Sequence, residues 1–213
     1  MENTLFENEN GNFAKPVLGV VPSTKALSIV GSSRNNGERE AEDFYPTPPY
    51  AVEELLKREV FSGNIWECAC GQGHLSEIFK NAEHNVKSTD LVDRGYGETG
   101  IDFLSQTELF DGDIITNPPY KYAKEFVEKG LELVNDGNKV IMFLKLQFME
   151  GKARKKLFTK HPPKTIYVSS SRITCAKNAD FEMMKAGGGS AVAYAWYVWE
   201  KGFNGETIVK WFN

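Results

Sequence analysis

Apolar and polar residues follow two spacings along this chain after an opening that follows neither. Up to about residue 40 the sequence is rich in Asn, Glu, Gly and Ser and closes on the polar string Gly31 to Glu40. A mobile tail is predicted for residues 1–40, interrupted by the short apolar stretches Val17 to Val21 and Ala26 to Val30. From Asp43 onward, strand-like and helix-like segments alternate. Val52, Leu55, Leu56 and Val60 recur at helical spacing after Thr47, a candidate N-cap, and Pro48, placed for the first helical position. Ile65 to Ala69 reads as a strand, His74 to Ala82 as a helix and Val86 to Leu91 as a second strand. Ile114 and Ile115 form a short buried strand that ends at a Pro-Pro turn. Ala123, Phe126, Val127, Leu131 and Val134 mark one face of a further helix, followed by the turn Asn135-Asp136-Gly137 and the run Val140 to Leu144. That run is apolar throughout, as in a parallel strand covered on both faces. A basic helix from Glu150 to Thr159, a strand Thr165 to Val168, a Gly-rich stretch through Gly187-Gly188-Gly189 and a closing pair, Ala191 to Trp199 with Thr207 to Phe212, complete the chain. The alternation predicts an α/β domain, a mainly parallel sheet with helices on both faces.

Composition narrows the class. With 213 residues, 41% of them apolar and 12% aromatic, the chain can bury one substantial core, enough for one domain over residues 41–213. It contains no apolar run long enough to cross a bilayer, and its N-terminus has neither the basic start nor the apolar stretch of a signal peptide, so a cytoplasmic location without membrane association is expected. Three cysteines, with Cys68 and Cys70 too close together for the usual ligand spacing, favour neither a disulfide framework nor a metal site. The net charge of −4 argues against a general polyanion binder. Seven cations (Lys145, Lys152, Arg154, Lys155, Lys156, Lys160, Lys164) nevertheless face Glu150 alone between residues 145 and 164, which makes that stretch +6 and the remainder −10. One basic face on an acidic body is expected.

The segment Glu67-Cys68-Ala69-Cys70-Gly71-Gln72-Gly73 places two glycines where the first strand turns into a helix, letting the backbone approach a ligand closely. Ser76 stands where a dinucleotide fingerprint would have its third glycine, which counts against NAD. Glu67 suits a ligand bearing an ammonium group, and Asp90 at the end of the next strand is placed to accept hydrogen bonds from ribose hydroxyls. Downstream, Asn117-Pro118-Pro119-Tyr120 ends a buried strand with an amide, a rigid turn and an aromatic ring. Proline removes amide donors, so the carbonyls of the turn stay available, and Asn117 supplies one more. Two acceptors holding both hydrogens of an aromatic amine draw it toward a tetrahedral, more nucleophilic geometry. Tyr120 can stack on a flat base.

These residues resemble the S-adenosylmethionine (AdoMet)-dependent amino methyltransferases, and most closely the small phage-type DNA adenine-N6 methyltransferases. The likeness runs through Asp43 to Pro48, Glu67 to Gly73, Asp90, Gly100 to Leu104 and Asn117 to Tyr120, with a weaker part in Leu146 to Gly151. It implies a Rossmann-like class I methyltransferase fold: a mostly parallel seven-stranded sheet with an antiparallel C-terminal strand. It also implies a catalytic loop of Asn117, Pro118, Pro119 and Tyr120, and AdoMet as the methyl donor. Tyr45, Thr47 and Pro48 would embrace the methionine end of the cofactor, with Glu67, Ala69, Gly71 and Gly73 beneath it, Asp90 at the ribose, and Asp102 and Phe103 at the adenine. The acceptor would be adenine N6 in DNA, flipped from its stack. Lys152, Arg154, Lys155, Lys156 and Arg172 are candidate phosphate contacts, and residues 169–191 leave room for only a small recognition insertion, so site preference is expected to be short. Similar loops also serve enzymes acting on RNA or protein glutamine, and a non-catalytic AdoMet-fold subunit is a reading of another class. Cytosine C5 chemistry is disfavoured because none of Cys68, Cys70 or Cys175 has a neighbouring proline.

Overall fold

The computed structural model describes residues 46–171, 173 and 192–213, so the N-terminal tail, Tyr45, Arg172, Cys175 and the Gly-rich stretch lie outside the described residues. Among the described residues twelve α-helices and β-strands follow in order: α1 Pro49–Leu56, β1 Asn64–Glu67, α2 His74–Asn81, β2 Asn85–Asp90, β3 Glu98–Thr99, β4 Asp113–Thr116, α3 Ala123–Leu133, β5 Lys139–Lys145, α4 Lys152–Lys160, β6 Thr165–Ser169, β7 Tyr194–Glu200 and β8 Ile208–Phe212. They build one sheet in the order β3-β2-β1-β4-β5-β7-β6-β8. Strands β1 to β5 run parallel, β7 is inserted antiparallel between β5 and β6, and β8 lies parallel beside β6.

Three details differ from the sequence expectation. The sheet has eight strands, because the two exposed residues of β3 pair with Thr89 and Asp90 although they are too few to show a pattern. The closing segments are not neighbours: β6 lies between β7 and β8, and only β7 is antiparallel. The first helix starts one residue late, with Pro48 at the N-cap and Thr47 making no cap hydrogen bond, and Val60 lies beyond its end, 85% exposed.

Alternate residues of the buried strands supply two cores. Ile114, Val140, Met142, Tyr197 and Trp199 meet α3 and α4 on one face, while Ile65, Ile115, Ile141, Phe143 and Trp196 meet α1 and α2 on the other. Buried indoles need a partner for their N–H: Trp196 donates to the Ala51 carbonyl at 2.8 Å and Trp199 to that of His161 at 3.0 Å. The buried Asp113 carboxylate accepts from the backbone N–H groups of Ser62 at 2.7 Å and Lys139 at 2.8 Å, tying β4 to the approaches of β1 and β5. No helix among the described residues is long and apolar enough to cross a membrane.

Strand order decides where a ligand can enter. From β1 the chain steps one way to β2 and β3, then returns to the other side for β4 and β5, so the order reverses between β1 and β4. Loops leaving the carboxyl ends of those two strands diverge and leave a crevice.

Candidate active site

A cavity of about 540 Å³ occupies that crevice, a size suited to a cofactor or other small ligand. Its lining includes Thr47, Glu67, Ala69, Asp90, Asp102, Phe103, Asn117 and Pro119 from the sequence-derived set. Pro48, Gly71, Gly73, Pro118 and Tyr120 are not among the lining residues. The lining also includes His74, Arg94, Lys121, Tyr122 and Phe126, none of which the sequence marked as a site residue. Tyr122, 44% exposed, lies three residues after Pro119, and only that nearness to the Pro-Pro turn could have flagged it.

Glu67 ends β1 at the cavity floor with 3% of its surface exposed. Its Oε2 accepts from the Ser76 backbone N–H at 2.8 Å and from the Ser76 hydroxyl. Thus Ser76, where a dinucleotide loop would have glycine, fastens α2 to the end of β1. Burial pushes the Glu67 carboxyl up to about 8; the Ser76 bonds oppose this, and the charge of Asp90 adds to it. The same burial, with Glu67 and Asp90 nearby, pushes the Cys70 thiol up to about 12 and Cys68 well above its ordinary value. Both thiols are poor nucleophiles at neutral pH. Burial lowers His74, favouring the neutral imidazole.

Asp90 organises two loops at once. Its Oδ2 accepts from Gly71 N–H at 2.8 Å and its Oδ1 from Val92 N–H at 2.9 Å, so the glycine loop and the loop after β2 are held by one carboxylate. Each oxygen keeps a second lone pair for a hydroxyl donor. Gly73 has a reason of its own. It sits at φ 82°, and a Cβ there would lie 2.5 Å from the Tyr96 ring. Tyr96 is held over the glycine by its hydroxyl, which donates to Glu77 at 2.5 Å and accepts from Lys80 at 2.6 Å. On the opposite bank, Asp102 Oδ1 accepts from Leu104 N–H at 3.0 Å. The Phe103 ring reaches the lining from inside the core, edge-on to Trp66 at 5.3 Å and tilted against Phe126 at 5.0 Å.

Asn117 follows the last residue of β4, half-buried, with Pro118 buried behind it. The Tyr120 ring is half-buried, 6.2 Å from the Tyr194 ring, and the Lys145 ammonium lies 4.5 Å from its centroid. The cations of the basic stretch separate into groups. Arg154 is turned inward, with Nε donating to the Glu150 carbonyl and the guanidinium 5.4 Å from the Phe148 ring, and Lys164 pairs with Glu200 at 2.7 Å. Lys152, Lys155 and Lys156 are exposed on the first turns of α4. Among the described residues no cluster of three or more His, Cys, Asp or Glu could hold a metal ion.

No protein-family model matches the sequence, and no curated protein matches it significantly. The structure does have counterparts. A Listeria monocytogenes protein assigned to the class I S-adenosylmethionine-dependent methyltransferases superposes with TM-score 0.51 at 13% identity, over 77% of this chain and 62% of that one. A Vibrio vulnificus modification subunit assigned to a type I restriction enzyme superposes with TM-score 0.53 at 12% identity, over 80% of this chain and 46% of that one. An S-adenosylmethionine-dependent O-methyltransferase from Thermotoga maritima gives TM-score 0.51 at 12% identity, over 76% and 69%. This chain therefore spans less than two thirds of the length of the first two. The shared architecture is the class I methyltransferase fold, which this chain builds with the mixed eight-stranded sheet and antiparallel β7 described above.

Proposed function

We propose that the chain is an AdoMet-dependent methyltransferase and, more particularly, that it methylates the exocyclic N6 of adenine in DNA. The observation that carries this reading is that one cavity is lined by Glu67 and Asp90 together with Asn117 and Pro119. Its chemistry fits AdoMet: a buried acid for an ammonium group, an acid with spare lone pairs for ribose hydroxyls, and the aromatic edges of Phe103, Tyr122 and Phe126 for a flat base. When bound, the cofactor supplies a methyl group made electrophilic by its sulfonium.

The remaining work falls to the chain. The side-chain carbonyl of Asn117 and the backbone carbonyl of Pro118 are the candidate acceptors for the two hydrogens of the target amine, drawing its lone pair out of conjugation with the ring. The two prolines keep that turn rigid, so its acceptors need no reorganisation as charge develops. Tyr120 offers a stacking surface that helps offset the few kcal/mol of extracting a base from a duplex. Lys152, Lys155 and Lys156 stand on the same edge of the sheet as Asn117 and provide attraction for phosphates.

The test is incubation of the purified protein with labelled AdoMet and DNA, RNA or protein extract, followed by digestion and identification of the labelled product. Label in N6-methyladenine from DNA supports the reading. Label confined to RNA or to protein glutamine overturns the substrate while keeping the chemistry.

A further inference from the structure

After β5 the chain makes a 3-10 turn, Leu146–Met149, and enters α4 through Gly151. Between that turn and the outer side of α4 lies an open groove of about 610 Å³, lined by Met149, Gly151, Lys152, Lys155, Phe158 and Thr159. Its floor is apolar, from Met149 at 47% exposure and the half-buried Phe158, while its rim carries the exposed Lys152 and Lys155.

The topology places this groove beside the acceptor loop. Strand β6 runs parallel to β5, because both are antiparallel to β7, so the helix joining them must run from the carboxyl edge of the sheet back to its amino edge. The first turn of α4 therefore stands on the edge that carries Asn117. Lys145, the cation beside the Tyr120 ring, is the last residue of β5, and the 3-10 turn to Met149 follows at once. Leu146 and Phe158 pack against the core on the α3 and α4 side, and Tyr120 packs against both cores.

An apolar floor under a cationic rim complements a nucleotide, whose phosphate meets the lysines while its sugar and base cover the floor. Resting on the reading of the chain as a DNA methyltransferase, we propose that this groove holds the nucleotide adjoining the target adenine on the same strand. Lys152 and Lys155 meet its phosphate, and Met149 and Phe158 lie under its sugar and base. Recognition then has two parts, a pocket for the flipped adenine and a groove for one neighbour, which gives the enzyme a short context preference.

The test uses oligonucleotides with one target adenine and a single neutral methylphosphonate, moved in turn through about three positions on each side. With the full-length wild-type protein, one phosphate adjoining the target lowers kcat/KM by about tenfold when neutralised, the scale of a lost charge-assisted hydrogen bond. In the Lys152→Ala/Lys155→Ala variant that position no longer matters, whereas effects elsewhere persist. Met149→Ala alters the preferred base at the same position while leaving AdoMet affinity unchanged. Equal sensitivity at every position in both proteins overturns the groove, because the lysines would then supply only general attraction to a polyanion. Loss of self-association in the double variant, with no positional effect, assigns the groove to a second copy and also overturns it. If no DNA is methylated at all, the functional reading itself fails and the groove assignment falls with it, an outcome distinct from methylation without positional sensitivity.

Discussion

Glu67 and Asn117 line one cavity, and each makes its own prediction. The folded protein keeps a proton on Glu67 up to about pH 8, whereas an unfolded chain releases it near the ordinary value of 4.5. The stabilising contribution of that proton is fully present below the unfolded value and is lost as pH rises toward 8. Thermal unfolding should therefore show Glu67→Gln gaining on the wild type from pH 5 to 8 and then keeping a constant offset from it. An ammonium group favours the ionised carboxylate, so AdoMet binding should release a proton and tighten as pH rises through the same interval. Calorimetry in buffers of different ionisation enthalpy measures this, and binding with no proton release removes Glu67 from the ammonium site. For Asn117→Ala, methyl transfer should fall below detection while AdoMet affinity changes by less than about threefold, since the lost amide acts on the acceptor. Affinity lost in parallel would make Asn117 a cofactor ligand instead.

At the scale of elements, most helices and strands were legible because each has a clear period, yet their local chemistry was often set from far away in sequence. Gly73 was legible as a point of close backbone approach to a ligand, but the ring that demands it belongs to Tyr96, on the other side of β2. Gly73→Ala should cost about 1–3 kcal/mol in denaturant unfolding from backbone strain at positive φ, with the clash against Tyr96 added. Removing the ring by Tyr96→Ala should recover the part due to the clash, and strictly additive losses would show that the two residues do not communicate. The basic stretch was legible as charge and not as geometry: composition counts Arg154 and Lys164 with the others, whereas the fold turns one against Phe148 and pairs the other with Glu200. Tyr122 and Arg94 escaped notice because a cavity wall assembled from separate loops has no period. Asp90 was legible as an acid at a strand end, but its hold on Gly71 and Val92 depends on how two loops converge.

For the molecule as a whole, the sheet ends at β8, where Ile208, Val209 and Trp211 are exposed by 55%, 40% and 66%. Such a strand is a template for pairing with another chain. Lys210, between Val209 and Trp211, opposes it: two copies paired antiparallel about that residue would bring like charges face to face. Lys210→Val should therefore raise concentration-dependent association in sedimentation or light scattering, and an unchanged profile would deny Lys210 that protective role.

The reversed strand β7 has another outcome for the molecule. Because it runs against β6, the exit of β6 at Ser169 and the entry of β7 at Tyr194 lie side by side on the edge that carries Asn117. Antiparallel neighbours can be joined by two residues, yet this chain uses residues 170–193. The two ends of that connection open at the rim of the proposed catalytic centre, and its first residues are tied to the body: Ser170 donates to the Phe212 carbonyl and Ile173 is fully buried in the core against α1 and α2.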